Sequence, residues 1–160
     1  MKKEPPAYTL RPLGIEDAPL LEEFFAALGP ESRALFNRRD YNKRGVLRAI
    51  THPDPAREYH VALGTDGRIL GYVFFLCADT GIPELGVCVR DDCQGRGLGR
   101  ALCSFAIERA RATGKGGILL TTHTANLRAQ VLYESLGFSC HGTTKNATEL
   151  LYLLRFSAGK

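Results

Sequence analysis

A chain of 160 residues, 44% of them hydrophobic and 24% charged, is long enough to bury one core without help from disulfides or metals, and nothing in this composition suggests disorder. The formal net charge of +4, from 21 Lys and Arg against 17 Asp and Glu, is dispersed rather than gathered into a stripe with interleaved aromatics, so no nucleic-acid partner is expected. No apolar stretch approaches the ~20 residues that cross a bilayer, and no membrane partner is expected either.

Taken in chain order, Tyr8-Thr9-Leu10-Arg11 alternates as a short strand does. Ile15-Glu16-Asp17-Ala18-Pro19 then opens a helix, with acids in its first turn and Pro near its start. Leu20, Leu21, Phe24, Phe25 and Leu28 form its apolar stripe, and Gly29-Pro30 ends it. Ser32 to Ile50 carries a second, looser helical stretch, with Asn42 and Gly45 weakening its middle. After a loop at Pro53-Asp54-Pro55, Tyr59 to Leu63 and Ile69 to Cys77 read as two strands joined by the hairpin turn Gly64-Thr65-Asp66-Gly67. A strand over Pro83 to Val89 leads into a strong helix over Gly97 to Arg111. Ile118 to Thr122 is a buried strand, Ala125 to Leu136 a helix, and two strands, from Phe138 onward and over Glu149 to Arg155, close the chain. There is no repeat and no linker, so one α/β domain is expected over 1–160.

The five cysteines (Cys77, Cys88, Cys93, Cys103, Cys140) include no C-x-x-C pair. The opening residues Met1 to Pro6 lead into no apolar core of signal-peptide length, and free thiols then point to the reducing cytoplasm. The four histidines (His52, His60, His123, His141) show no paired spacing for zinc, and no metal is expected.

The informative segment runs from Pro83 through Gly95-Arg96-Gly97-Leu98-Gly99-Arg100 to Leu102: a strand, a polar turn, a glycine-rich loop, then a helix. Glycines at 95, 97 and 99 let the backbone approach a ligand closely. The unpaired N–H groups and dipole of the helix start favour an anion there, with Arg96 and Arg100 adding charge. A dinucleotide fingerprint would want glycine where Arg100 stands, and an acid about twenty residues on, where the chain has Leu119, Leu120 and Thr121. The P-loop pattern is absent.

Gln94-Gly95-Arg96-Gly97-Leu98-Gly99 closely resembles the [Q/R]-x-x-G-x-[G/A] acetyl-CoA signature of the GNAT superfamily of N-acetyltransferases. Asn126 to Phe138 resembles a second segment of that family, N-x-x-A-x-x-[L/F]-Y-E-x-[L/A]-G-F, and with Gly71-Tyr72-Val73 the resemblance covers Leu63 to Phe138. It implies an α/β fold with a mixed, mostly antiparallel sheet, helices on both faces, and a splay near Val87 that admits the coenzyme.

It also implies acetyl-CoA as co-substrate and direct transfer to an amine of a small molecule or protein, without a covalent enzyme intermediate. The backbone of Val87 and Val89 would pair with the pantetheine arm. Gln94, Gly95, Arg96, Gly97, Leu98, Gly99 and Arg100 would cradle the pyrophosphate, and Asn126 would bond the arm or cap its helix. Tyr133 matches the family tyrosine near the coenzyme sulfur and is the candidate acid. Glu84 is the candidate base, directly or through water, with His123 as an accessory. Asp91 and Asp92 read as turn formers, and Cys88 and Cys93 as packing residues, since no His-type base is spaced to activate them. A homodimer is compatible with the resemblance, which does not fix the oligomeric state. The rival from another class is a CoA-binding sensor module without catalysis.

Overall fold

The computed structural model describes residues 4–35 and 42–157. Seven strands form one sheet: β1 (Tyr8–Pro12), β2 (Arg57–Gly64), β3 (Ile69–Leu76), β4 (Glu84–Val89), β5 (Gly117–His123), β6 (Ser139–Thr143) and β7 (Glu149–Arg155). Their order is β1-β2-β3-β4-β5-β7-β6, with every neighbouring pair antiparallel except β4 and β5. The helices are α1 (Ala18–Ala26), α2 (Pro30–Leu35), α3 (Lys43–Thr51), α4 (Leu98–Ala112) and α5 (Leu127–Ser135). This is the mixed, mostly antiparallel arrangement that the resemblance implies.

Two cores explain the layering. On one face Leu21, Phe24 and Leu28 from α1 and Val46 from α3 pack on Val61, Tyr72, Phe74 and Cys88. On the other, Leu98, Leu102, Ala106 and Ile107 of α4 and Tyr133 of α5 cover Val73, Phe75, Leu85, Ile118 and Leu120. Covered on both sides, β3 is buried along its whole length, which is why its sequence (ILGYVFFL) runs apolar instead of alternating. The β2–β3 hairpin turns where expected: Gly67 takes φ +82°, and Asp66 accepts the Arg68 N–H at 3.1 Å.

The helical stretch expected over Ser32 to Ile50 falls on α2 and α3, with 36–41 outside the described residues. Asn42 and Gly45 do not weaken α3. Asn42 is its N-cap, and the side-chain oxygen accepts the Gly45 N–H at 2.9 Å, so the pair read as helix-weakening is the start signal.

The first strand is pinned to the first helix by charge. The Asp17 carboxylate, 1% exposed, accepts from the two terminal guanidinium nitrogens of Arg11 (2.6 and 2.8 Å) and from the Gly14 N–H (2.9 Å). The Arg11 bonds hold its pKa below the ordinary value. A lowered folded-state pKa means that the stabilisation is present above the ordinary carboxylate range and is lost as pH falls through the folded value. Because Arg11 is one-third exposed, Asp17→Asn should cost about 2 kcal/mol at neutral pH. Urea titrations should show the gap to the unmutated protein closing below about pH 4; a gap unchanged at pH 3 would refute the ionic account.

Candidate active site

The site is built where β4 and β5 part. Among the described residues the two strands share one paired position, Glu84 with Leu119, where the Leu119 N–H also reaches the Pro83 carbonyl at 3.1 Å. Beyond it they diverge. The Arg90 N–H donates to Leu70 O at 2.9 Å, and this register assigns the even-numbered residues of β4 to bonding with β3. The N–H and C=O groups of Leu85, Val87 and Val89 therefore turn toward β5, into the gap. A cleft of about 870 Å³ follows, large enough for a cofactor-sized molecule.

One end of the cleft is the start of α4. Gly95 and Gly97 take φ of +73° and +88°, conformations that residues with a Cβ rarely adopt. Gly97 is the N-cap of α4, and no side chain caps the helix. The Ala101 N–H bonds back to Gly97 O at 3.0 Å, so the N–H groups of residues 98–100 are the unpaired donors of the first turn. Together with the helix dipole and Arg100 on the lining, they form an anion cradle.

The structure brings Val87, Val89, Gln94, Gly95, Gly97, Gly99, Arg100, Asn126 and Tyr133 onto this one cleft. Arg96 and Leu98 are not on its lining; the Leu98 side chain is buried in the core and can offer only its main chain. Glu84 stands at the closed end of the splay, beside Leu119, and is also off the lining. Asn126 does cap α5, accepting the Ala129 N–H at 3.2 Å, and it faces the cleft as well, so the two readings of this residue are compatible. Tyr133, 7% exposed, is held by the rings of Phe138 (5.9 Å) and Tyr152 (6.1 Å). His123 lies on the lining, with Nδ1 accepting the Ala125 N–H at 3.0 Å.

Burial pushes both thiols in question upward, Cys88 most strongly and Cys93 in the same direction, which is the opposite of what a nucleophilic thiolate needs. Among the described residues no group of three or more His, Cys, Asp or Glu is placed to hold a metal ion, and no helix is long and apolar enough to cross a membrane.

Three features escape sequence reasoning. The Gln94 side chain donates to Val89 O at 3.0 Å and accepts from Arg128 at 3.2 Å, so it braces the cleft walls against each other. Asp91 is more than a turn former, because its carboxylate reaches α2. Thr121 and Glu149 join the lining from β5 and β7. Thr122 lines the cleft too, so both neighbours on β5 reach it, which strand alternation alone does not predict.

Comparison with known proteins agrees with this geometry. The model of the acetyltransferase (GNAT) family matches residues 20–138. An L-methionine sulfoximine/L-methionine sulfone acetyltransferase of Pseudomonas aeruginosa is 30% identical over 143 residues, 84% of this chain and 81% of that protein. A mycothiol acetyltransferase of Beutenbergia cavernae is 37% identical over 87 residues, 54% of this chain and 29% of that protein. The chain thus spans less than half the length of the mycothiol acetyltransferases it matches, from 28% to 46%. Of the solved structures, the GNAT domain of S. lividans PAT superposes with TM-score 0.81 at 19% identity, covering 93% of this chain and 90% of that one. A PaiA N-acetyltransferase from Thermoplasma acidophilum in complex with coenzyme A superposes with TM-score 0.73 at 18% identity, covering 94% and 99%. At those identities the likeness is one of fold.

Proposed function

The chain belongs to the acetyltransferase (GNAT) family, and we propose that it transfers an acetyl group from acetyl-CoA directly to an amine. The observation that carries this reading is the uncapped, glycine-led start of α4 opening into the gap between β4 and β5. An anion fits the first and an extended chain with amide groups fits the second, and coenzyme A offers both in one molecule.

The residues divide the work. The N–H groups at the start of α4, with Gln94 to Arg100, hold the pyrophosphate. The inward main chain of Val87 and Val89 pairs with the pantetheine arm, and Asn126 bonds it while capping α5. Tyr133 donates a proton to the departing thiolate; a phenol, ordinarily of pKa about 10, does this only when fixed in place, and its two aromatic neighbours supply that restraint. Glu84, standing off the cleft lining, takes a proton from the acceptor's ammonium through a water, and the neutral amine then attacks the thioester. His123 drops out as an accessory base: with its Nδ1 lone pair engaged by the Ala125 N–H, the neutral ring carries its proton on Nε2 and can only donate there.

The acceptor enters from the side walled by α2, through Glu31, Ser32 and Leu35, and by Thr121 and Glu149. The relatives are named for acetylating mycothiol and L-methionine sulfoximine or sulfone. Those names support a small-molecule acceptor over a protein amine, and catalysis over a coenzyme-sensing module. They leave unassigned the place of catalysis in the cell, for which we retain the cytoplasm on the strength of the free thiols.

Calorimetry should show acetyl-CoA or CoA binding in the micromolar range, near −8 kcal/mol. Absence of heat and of thermal stabilisation at millimolar CoA would overturn the coenzyme reading. Acetyl-CoA consumption across an amine library, with mass spectrometry of the products, tests transfer itself; coenzyme binding without any turnover would revive the sensor module.

A further inference from the structure

The short helix α2 forms one wall of the cleft on the acceptor side, and its seat is set by a residue of the glycine loop's own entry turn. Asp91 Oδ2 accepts the Gly29 N–H at 2.8 Å, and Oδ1 accepts the Ser32 hydroxyl at 2.6 Å. The approach is close enough that a Cβ at position 29 would stand 2.7 Å from the carboxylate oxygen, so a larger residue there would push the Asp91 side chain aside. Ser32 is 8% exposed, and its hydroxyl has little water to replace Asp91. The same oxygen lies 3.5 Å from Gln94 Nε2. Meanwhile the Asp91 carbonyl accepts the Gln94 N–H at 3.3 Å, closing the turn that presents Gly95 and Gly97. One residue thus holds the acceptor wall with its side chain and shapes the coenzyme loop with its main chain.

We infer that Asp91 is a positioning residue that locks α2 to the glycine loop, so that coenzyme filling the loop stiffens the acceptor wall. This rests on the acetyl-CoA reading of the cleft. The coupling is mechanical: the loop cannot settle around a pyrophosphate without fixing Asp91, and Asp91 cannot be fixed without fixing the Gly29 amide and the Ser32 hydroxyl. A residue that merely supports the fold would affect α2 equally with and without coenzyme.

Hydrogen exchange separates these roles without needing the acceptor. In the unmutated protein, saturating CoA should slow exchange over residues 29–35 by about 5-fold or more, the lower bound of ordinary coupling between sites. In Asp91→Ala the protein should still bind CoA, but the slowing over 29–35 should vanish. Ser32→Ala deletes a single hydroxyl, so it tests the link even if Asp91→Ala does not fold, and it should lose part of the effect. Slowing that survives in these variants, or CoA binding to the unmutated protein without slowing at 29–35, overturns the inference. Failure of the unmutated protein to bind CoA at all is a different result, seen in the titration before any exchange is compared, and it removes the coenzyme reading and the coupling together.

Discussion

Gly97→Val is expected to weaken CoA binding by about 100-fold or more while leaving the fold in place. At φ +88° this residue holds a conformation that a β-branched side chain resists. The cost of forcing it, about 1–3 kcal/mol, is small beside the 5–15 kcal/mol by which domains are ordinarily stable. The nearest neighbour of a Cβ at this position is Pro5 Cδ, at 3.8 Å. The new side chain therefore meets no core atom, and the damage falls on the loop. Relief of the strain turns the peptide plane and swings the first donors of α4 away from the anion they would hold. Calorimetric titration with CoA, alongside a melting curve, checks both halves; unchanged affinity would show that the loop does not wrap the phosphates.

Tyr133→Phe is expected to lower the single-turnover rate by about 100-fold, within the usual range for one acid–base group and equal to about 2.7 kcal/mol of activation free energy. The ring that packs on Phe138 and Tyr152 stays, so acetyl-CoA affinity should change little. A loss in rate without a loss in binding marks a group that acts in the transition state. Steady-state turnover could hide the effect behind product release, which is why a single turnover on an amine from the library screen is the right measurement. An unmutated rate in the variant would make water the proton donor.

The parts of this protein that were readable in its sequence are those set by neighbours along the chain. The β2–β3 hairpin follows from Gly64 to Gly67, α4 and its glycine loop from a twenty-residue stretch, and the helix carrying Tyr133 from the motif around it. Distant partnerships were not readable. Ser32 and Asp91 stand 59 positions apart, and each has a sufficient local explanation, one as a helix residue and the other as a turn former. Gln94 reads naturally as a phosphate-loop residue, and nothing local reveals that its side chain is engaged by Val89 O and Arg128. Asn42 was misread for a related reason: the same amide that costs helix propensity in the interior stabilises a helix as its cap, and only the position of the boundary decides the sign.

The parting of β4 from β5 also bears on cohesion. The seven strands remain one sheet, with β4 and β5 paired at Glu84 and Leu119, but past that position the two strands present inner margins to each other. Main-chain groups there do not make the ladder bonds of a closed pairing, each worth roughly 0.5–1.5 kcal/mol net, and Val89 O takes the Gln94 side chain instead. The strands β1–β4 and β5–β7 are tied together by the Glu84–Leu119 pairing and by α4, whose buried residues share a core with both. An extended ligand with amides along its length would serve as the missing rung between the inner margins, so occupancy and mechanical integrity become one quantity. A compact ligand of equal charge could fill the anion cradle and still leave the inner margins unjoined.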